Sequence, residues 1–223
     1  VPTFPIERTM ALGRLVAARN AAQERLPWSA IFAKAYALVA AETPVLRRAF
    51  VRFPITHLYE YPESVASIAV ERIYEGEPGV FVMRIRAPEK LPLAAIGREI
   101  RHAMAAPVDT IRSFKKLIIV SKLPRPVRHM LWWLALNVGR WRGNHVGTFG
   151  VSVVSGFGAD VTHVRSPMTV LLNYGVIAPD GTTTVRLIFD HRVLDGAVAA
   201  RVLVRLERIL NGPILEELKT AAR

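Results

Sequence analysis

The amino-acid sequence predicts an α/β two-layer sandwich, α+β-like in its element order: a mixed sheet with helices packed on one face. Three features point there. Stretches of helical apolar period and stretches of strand period come in groups, helices then strands then helices again, without the regular βαβ alternation of a doubly wound parallel sheet. Turn residues separate neighbouring strand-like runs, at Glu75-Gly76-Glu77-Pro78-Gly79 and at Asp180-Gly181, which implies antiparallel hairpins. Hydrophobic residues make up 51% of the 223, enough to build a core without covalent staples.

Taken in order, Val1 to Thr9 reads as an extended lead-in with Pro2 and Pro5. Leu12, Leu15 and Val16 recur at helical spacing and predict a helix of about 15 residues, interrupted by Pro27. Ser29 is placed to cap a second helix, in which Ile31, Ala35, Leu38 and Val39 form a stripe that ends before Pro44. Phe50 to Phe53 and His57 to Tyr61 read as short strands, and Val65 to Ile73 and Val80 to Ile85 as longer ones. Leu93 to Met104 is helical, with Ile96 and Ile100 inward. Strands return at Thr148 to Val154, Met168 to Val176 and Val185 to Phe189. A closing helix, Ala197 to Leu210, shows Val198, Val202, Leu206 and Ile209 on one face and is expected to stop at Gly212-Pro213.

The chain contains no cysteine, which excludes disulfides, thiolate metal sites and a thiol nucleophile. It carries no apolar run near the roughly 20 residues that span a bilayer and no signal-peptide pattern. A cytoplasmic protein is expected, and the start at Val1 suggests a trimmed or incomplete N terminus. The net charge of +12 is concentrated: between Asp109 and His145 stand Arg112, Lys115, Lys116, Lys122, Arg125, Arg128, Arg140 and Arg142 against Asp109 alone. Such a patch suits nucleic acid, anionic lipid or a phosphorylated small molecule.

Chemistry concentrates in Phe189-Asp190-His191-Arg192-Val193-Leu194-Asp195-Gly196. A strand ending in a histidine and turning into a helix holds an imidazole rigidly at a strand edge. Imidazole is the side chain best suited to moving protons near neutral pH. The bland alternative is a hydrogen-bonded turn histidine, and Asp195 is equally suited to be a helix N-cap. Ser152 sits in Gly150-Val151-Ser152-Val153-Val154, which lacks the second glycine of a hydrolase nucleophile elbow. His57, His102, His129, His145 and His163 show no metal-ligand spacing and are read as non-catalytic; no metal is expected.

Two motifs together resemble the catalytic domain of the 2-oxoacid dehydrogenase dihydrolipoamide acyltransferases and, more distantly, chloramphenicol acetyltransferase. One is His-x-x-x-Asp-Gly, present as His191 to Gly196. The other is Gly-Thr-Phe-x-x-Ser, present as Gly147-Thr148-Phe149-Gly150-Val151-Ser152. The Trp28 to Pro44 helix, the Val65 to Ile85 strand pair and Lys90-Leu91-Pro92-Leu93 align more loosely. The resemblance implies one acyltransferase catalytic domain over 1–223, with the chloramphenicol acetyltransferase-like fold. It implies direct acyl transfer from a thioester, coenzyme A or acyl-CoA as co-substrate, to a thiol or hydroxyl acceptor. By the same resemblance His191 is the general base, Ser152 donates to the oxyanion and Asp195 supports the histidine turn. A homotrimer or an assembly of trimers is implied, with the channel between subunits. The rival is a non-catalytic trimeric scaffold or membrane-surface binding protein of the same fold.

The chain also departs from that pattern. No lipoyl or peripheral-subunit-binding domain is expected ahead of the catalytic part, and a lipoyl group is therefore not expected as a partner. Where the family has Ser-Asn or Ser-Ser before Leu-Gly, this chain has Ser152-Val153-Val154-Ser155-Gly156, and Ser155 is the alternative oxyanion donor. Finally, about 111–145 reads as a basic, Trp-rich insertion containing Trp132, Trp133 and Trp141. Three readings stay open for it: a buried helix on the sheet, a lid on an acyl-chain tunnel, or an interfacial helix giving peripheral membrane contact through 126–141. The last two imply a hydrophobic substrate. No nucleic acid is expected, because the tryptophans cluster with leucines rather than interleaving with cations.

Overall fold

The computed structural model describes residues 2–152, 158 and 166–221. Its centre is a six-stranded mixed sheet in the order β1-β8-β7-β6-β4-β5. The strands are β1 (Thr3–Ala11), β4 (Val65–Tyr74), β5 (Glu77–Arg86), β6 (Phe149–Val151), β7 (Val170–Tyr174) and β8 (Thr182–Asp190). β6 runs parallel to both β4 and β7, and the other pairings are antiparallel. β2 (Arg48–Val51) and β3 (His57–Glu60) form a separate two-stranded ribbon. The expected α/β sandwich with a mixed sheet is the architecture the chain adopts.

Strand alternation divides the sheet. Ala66, Ile68, Val70, Phe149, Val151, Val170, Leu172, Val185, Leu187 and Phe189 face one core. Onto it pack α1 (Gly13–Ala21), α2 (Trp28–Glu42), α3 (Leu93–Ala105), α7 (Gly196–Ile209) and α8 (Leu215–Ala221). α2 is buried on nearly every side, with Phe32 stacked on Tyr174 at 4.2 Å and Tyr36 4.4 Å from Phe149. Lys34 on α2 pairs with Glu217 on α8 at 2.5 Å, and Glu217 also accepts the Leu93 N–H that opens α3. One carboxylate thus ties three helices together and satisfies an orphan helix-start donor. The opposite face carries buried polar groups: Ser67, Asn173, Arg186 and Asp190.

Several element boundaries differ from the sequence expectation. The lead-in is a full edge strand, paired with β8 from Thr3↔Asp190 to Ala11↔Thr182, and Pro5 is tolerated there because an edge strand can spare an N–H. α1 is nine residues, shorter than the periodicity suggests. Ser29 caps nothing: α2 begins at Trp28, after Pro27, and Ala30 donates to the Pro27 carbonyl. Gly212-Pro213 does not stop the last helix. It lies in a π-helical turn, Leu210–Ile214, that carries the chain into α8. The wider turn absorbs the missing proline N–H while Leu210, Ile214 and Leu215 stay fully buried.

The basic segment folds as α4 (Arg112–Ser121), α5 (Arg125–Asn137) and α6 (Gly139–His145). α4 is rooted by Phe114, fully buried and 5.0 Å from Phe81 on β5. α5 has no buried residue, so the reading of a core helix covering the sheet is not what the chain does. α6 leads to the non-core side, where the Ser67 hydroxyl donates to the Val146 carbonyl and Arg84 to that of His145. No helix among the described residues is long and apolar enough to cross a membrane.

Candidate active site

His191 is the first residue past β8. Its backbone N–H still donates to Pro2 at 2.9 Å, so the sheet edge fixes the main chain at this point. The imidazole is exposed and rests edge-on against Phe4 at 4.9 Å, with Phe189 5.9 Å away. Phe4 itself is half exposed. The ring is therefore presented at the surface of the chain on an aromatic shelf.

The turn beneath it is clamped. Asp190, 1% exposed, accepts the Arg192 N–H at 3.1 Å and the Arg192 guanidinium at 2.9 Å (Nε) and 2.7 Å (a terminal nitrogen). Burial would push the Asp190 carboxyl up. The Arg192 hydrogen bonds and charge outweigh it and hold the group below the ordinary carboxylate range, while Arg192 is raised in turn. The Arg192 guanidinium also lies 4.1 Å over the Phe50 ring on β2.

The Phe50 carbonyl accepts from Arg142 at 2.7 Å, and Arg142 donates again to Pro167 at 2.6 Å. Arg142 is buried, and desolvation lowers its pKa. Below it the Tyr61 hydroxyl, pushed up to about 12 mainly by burial, finds no hydrogen-bond partner among the described residues. Sequence reasoning counted Arg142 among eight surface cations. Nothing in its local pattern distinguishes it from Arg140, because its burial depends on contacts with β2 and with Pro167.

Asp195 is the N-cap of α7: its carboxylate accepts the Val198 N–H at 2.7 Å. Ser152 lies just past β6. Its N–H donates to Leu172, and its carbonyl accepts from the Asn173 amide at 2.7 Å. Asn173 is buried, and its own Oδ1 finds no partner among the described residues. A polar residue inside the apolar run Val170 to Tyr174 was the available signal for it. Ser155 lies outside the described residues, as does His163.

The fold of the chain does not bring His191 and Ser152 together. Val151 pairs with Leu172 and Leu172 with Leu187, so Ser152 is level with Arg186 on β8. His191 is five residues further along, which is about 16 Å, and two strands across, which is about 10 Å. The direct separation is therefore roughly 19 Å. Alternation also puts Ser152 on the non-core face, whereas His191 follows the Phe4–Phe189 side. A cavity of about 520 Å³ opens at the β5 edge, lined by Arg84, Arg86, Glu99, His102, Arg112 and Lys116 among others. None of the three sequence-predicted site residues lines it. No group of three or more His, Asp or Glu placed to hold a metal occurs among the described residues.

These features define a fold shared with known acyltransferases. The chain has the fold of dihydrolipoamide acetyltransferase catalytic domains and of chloramphenicol acetyltransferase. The dihydrolipoamide acetyltransferase of Azotobacter vinelandii superposes with a TM-score of 0.67 at 19% identity, over 96% of this chain and 84% of that one. The catalytic roles of a serine, a histidine and an asparagine have been investigated in that enzyme. A chloramphenicol acetyltransferase superposes with a TM-score of 0.59 at 15% identity, over 94% and 88% of the two chains. The wax ester synthase/diacylglycerol acyltransferase of Marinobacter aquaeolei VT8 gives 0.52 at 15%, over 99% of this chain and 49% of that one. No family model and no curated protein sequence matches the chain.

Proposed function

We propose that the protein is an acyltransferase that moves an acyl group from a thioester, acyl-CoA, to a thiol or hydroxyl acceptor in a site between protomers. The observation that carries the reading is His191: a histidine held by the sheet edge and a carboxylate–guanidinium clamp, yet open to solvent in one protomer. An imidazole so held is suited to take the proton of an incoming nucleophile. The Ser152 hydroxyl of a second protomer is the donor to the oxyanion of the tetrahedral intermediate. In the Azotobacter enzyme the investigated histidine and asparagine stand four residues apart, as His191 and Asp195 do here. Asp195 supports the turn and caps α7 rather than moving protons.

The roughly 19 Å separation of the two groups within one chain supports a homotrimer or larger assembly, in which subunit contacts restore the pair. The acceptor is hydrophobic. Residues 111–145, read as an insertion in a single catalytic domain, supply apolar surface, and the Marinobacter enzyme that shares the fold is named a wax ester synthase/diacylglycerol acyltransferase. Peripheral membrane contact through 126–141 belongs to this reading.

The test is subunit complementation with a panel of acyl-CoAs. His191→Ala and Ser152→Ala each abolish or strongly reduce transfer alone. Mixed assemblies of the two variants regain activity, because some interfaces pair an intact His191 with an intact Ser152. Full turnover by His191→Ala refutes the base assignment, and failure of mixing to restore any activity refutes the shared site.

A further inference from the structure

The helical pair α4–α5 is anchored at one end and unpartnered along the other. Phe114 roots α4 in the core, with Leu117 and Ile118 packed behind it. α5 projects with every residue at least partly exposed: Met130 is 55% exposed, Trp133 49% and Trp132 42%. A second segment joins the same surface. The loop after β2 presents Phe53, half exposed, with its ring 5.7 Å from Trp133 and its N–H donated to Asn137 at the end of α5. Ile55, 73% exposed, stands in the same loop. Two parts of the chain far apart in sequence thus meet in one exposed apolar surface rather than as scattered single side chains.

Cations share these segments: Lys115, Lys122, Arg125, Arg128 and Arg52 stand on or beside α4, α5 and the loop after β2, and no acidic residue occurs from Ile111 to His145. We propose that this surface docks the protein on an anionic phospholipid bilayer, with α5 lying in the plane of the headgroups. Thirteen helical residues reach about 20 Å, too short to cross about 30 Å of hydrocarbon but suited to lie at the boundary, where tryptophan rings settle. The lysines and arginines meet the lipid phosphates. A second copy of the chain is the poorer occupant, because a two-fold contact through this surface sets like charges against one another. Nucleic acid is poorer too, since the most exposed part is Trp, Met and Phe rather than a cationic groove. The docking deepens the peripheral contact included in the proposed function and rests on none of the catalytic assignments, and it would bring a hydrophobic acceptor to the site.

The whole protein is sedimented with vesicles of phosphatidylcholine alone and of phosphatidylcholine with about one-third phosphatidylglycerol. Binding to the anionic vesicles, a blue shift of tryptophan emission and weakening by salt are expected. Lys115→Glu/Lys122→Glu/Arg125→Glu weakens partition by about a hundredfold or more. Trp132→Ser/Trp133→Ser weakens it by about tenfold or more. His191→Ala binds vesicles like the parent, so loss of catalysis and loss of docking are read separately. Equal partition onto neutral and anionic vesicles, or none onto either, overturns the proposal. So does tighter binding to RNA than to vesicles, or dissociation of the oligomer by Trp132→Ser/Trp133→Ser, which would make the surface a subunit contact. Melting temperatures of the variants confirm that they fold.

Discussion

Replacing Asp190 with Asn removes one charge from the turn that carries His191 and leaves its shape nearly unchanged. Asp190 is 1% exposed, and its oxygens accept both a backbone N–H and the guanidinium of Arg192. Breaking a buried ion pair by altering one partner costs about 3–5 kcal/mol. Arg192 retains 26% side-chain exposure, so water recovers part of its solvation and the lower end applies, about 3 kcal/mol. In a chain of this length that corresponds to a fall in Tm of about 9 °C. The pH dependence supplies a second check. Because the folded-state pKa of Asp190 lies below the ordinary carboxylate range, its stabilisation is complete above that range and is lost as pH falls through the folded pKa. The gap between Asp190→Asn and the parent is therefore widest near neutral pH and closes in acid below about pH 4. Thermal melts by circular dichroism from pH 3 to pH 7 measure both. A variant melting within about 2 °C of the parent at pH 7, or a gap that widens in acid, refutes the clamp.

Two further substitutions probe the segments that position the candidate site. Asp195→Ala removes the cap of α7 and lowers stability by about 1 kcal/mol, or about 3 °C in Tm, whereas Asp195→Asn keeps the cap and melts near the parent. An unchanged Tm for the alanine variant would show that the Val198 N–H finds another acceptor. Gly147 adopts φ +97°, and a Cβ there would run into the Ser67 hydroxyl and come within 3.0 Å of the Val65 carbonyl. Gly147→Ala should cost about 2 kcal/mol or more, read as a denaturant midpoint shifted down without a change in slope. A midpoint at the parent value would mean that the turn into β6 does not need glycine.

Much of the framework was legible because it is local. β4 and β5 announce themselves by alternation and by the turn at Glu75-Gly76, where both residues take positive φ. β7 and β8 are antiparallel neighbours, as the Asp180-Gly181 turn implies. The place of His191, between the end of a strand and the cap of a helix, follows from period-two residues giving way to Asp195 and then to helical spacing. Less legible were the residues whose role depends on distant partners. Arg142 was read only as one cation of the basic segment, and Asn173 was not singled out within its apolar strand. Pro213 looked like a stop because a proline breaks an α-helix, and only the π turn beneath it lets the chain continue.

By itself the sequence determined that this chain forms helices and strands of the kind found in an α/β sandwich, and that a histidine stands at the end of its last strand. Side-chain period and turn chemistry act over a few residues, so they can be read without knowing the fold. The tertiary structure alone decided strand order and register, and with them that Ser152 and His191 lie at opposite ends of β6 and β8, with β7 between them. It also decided that Arg142 is buried while α5 faces outward. Those outcomes depend on apolar burial and hydrogen-bond satisfaction summed over the whole chain, which no short window of residues contains.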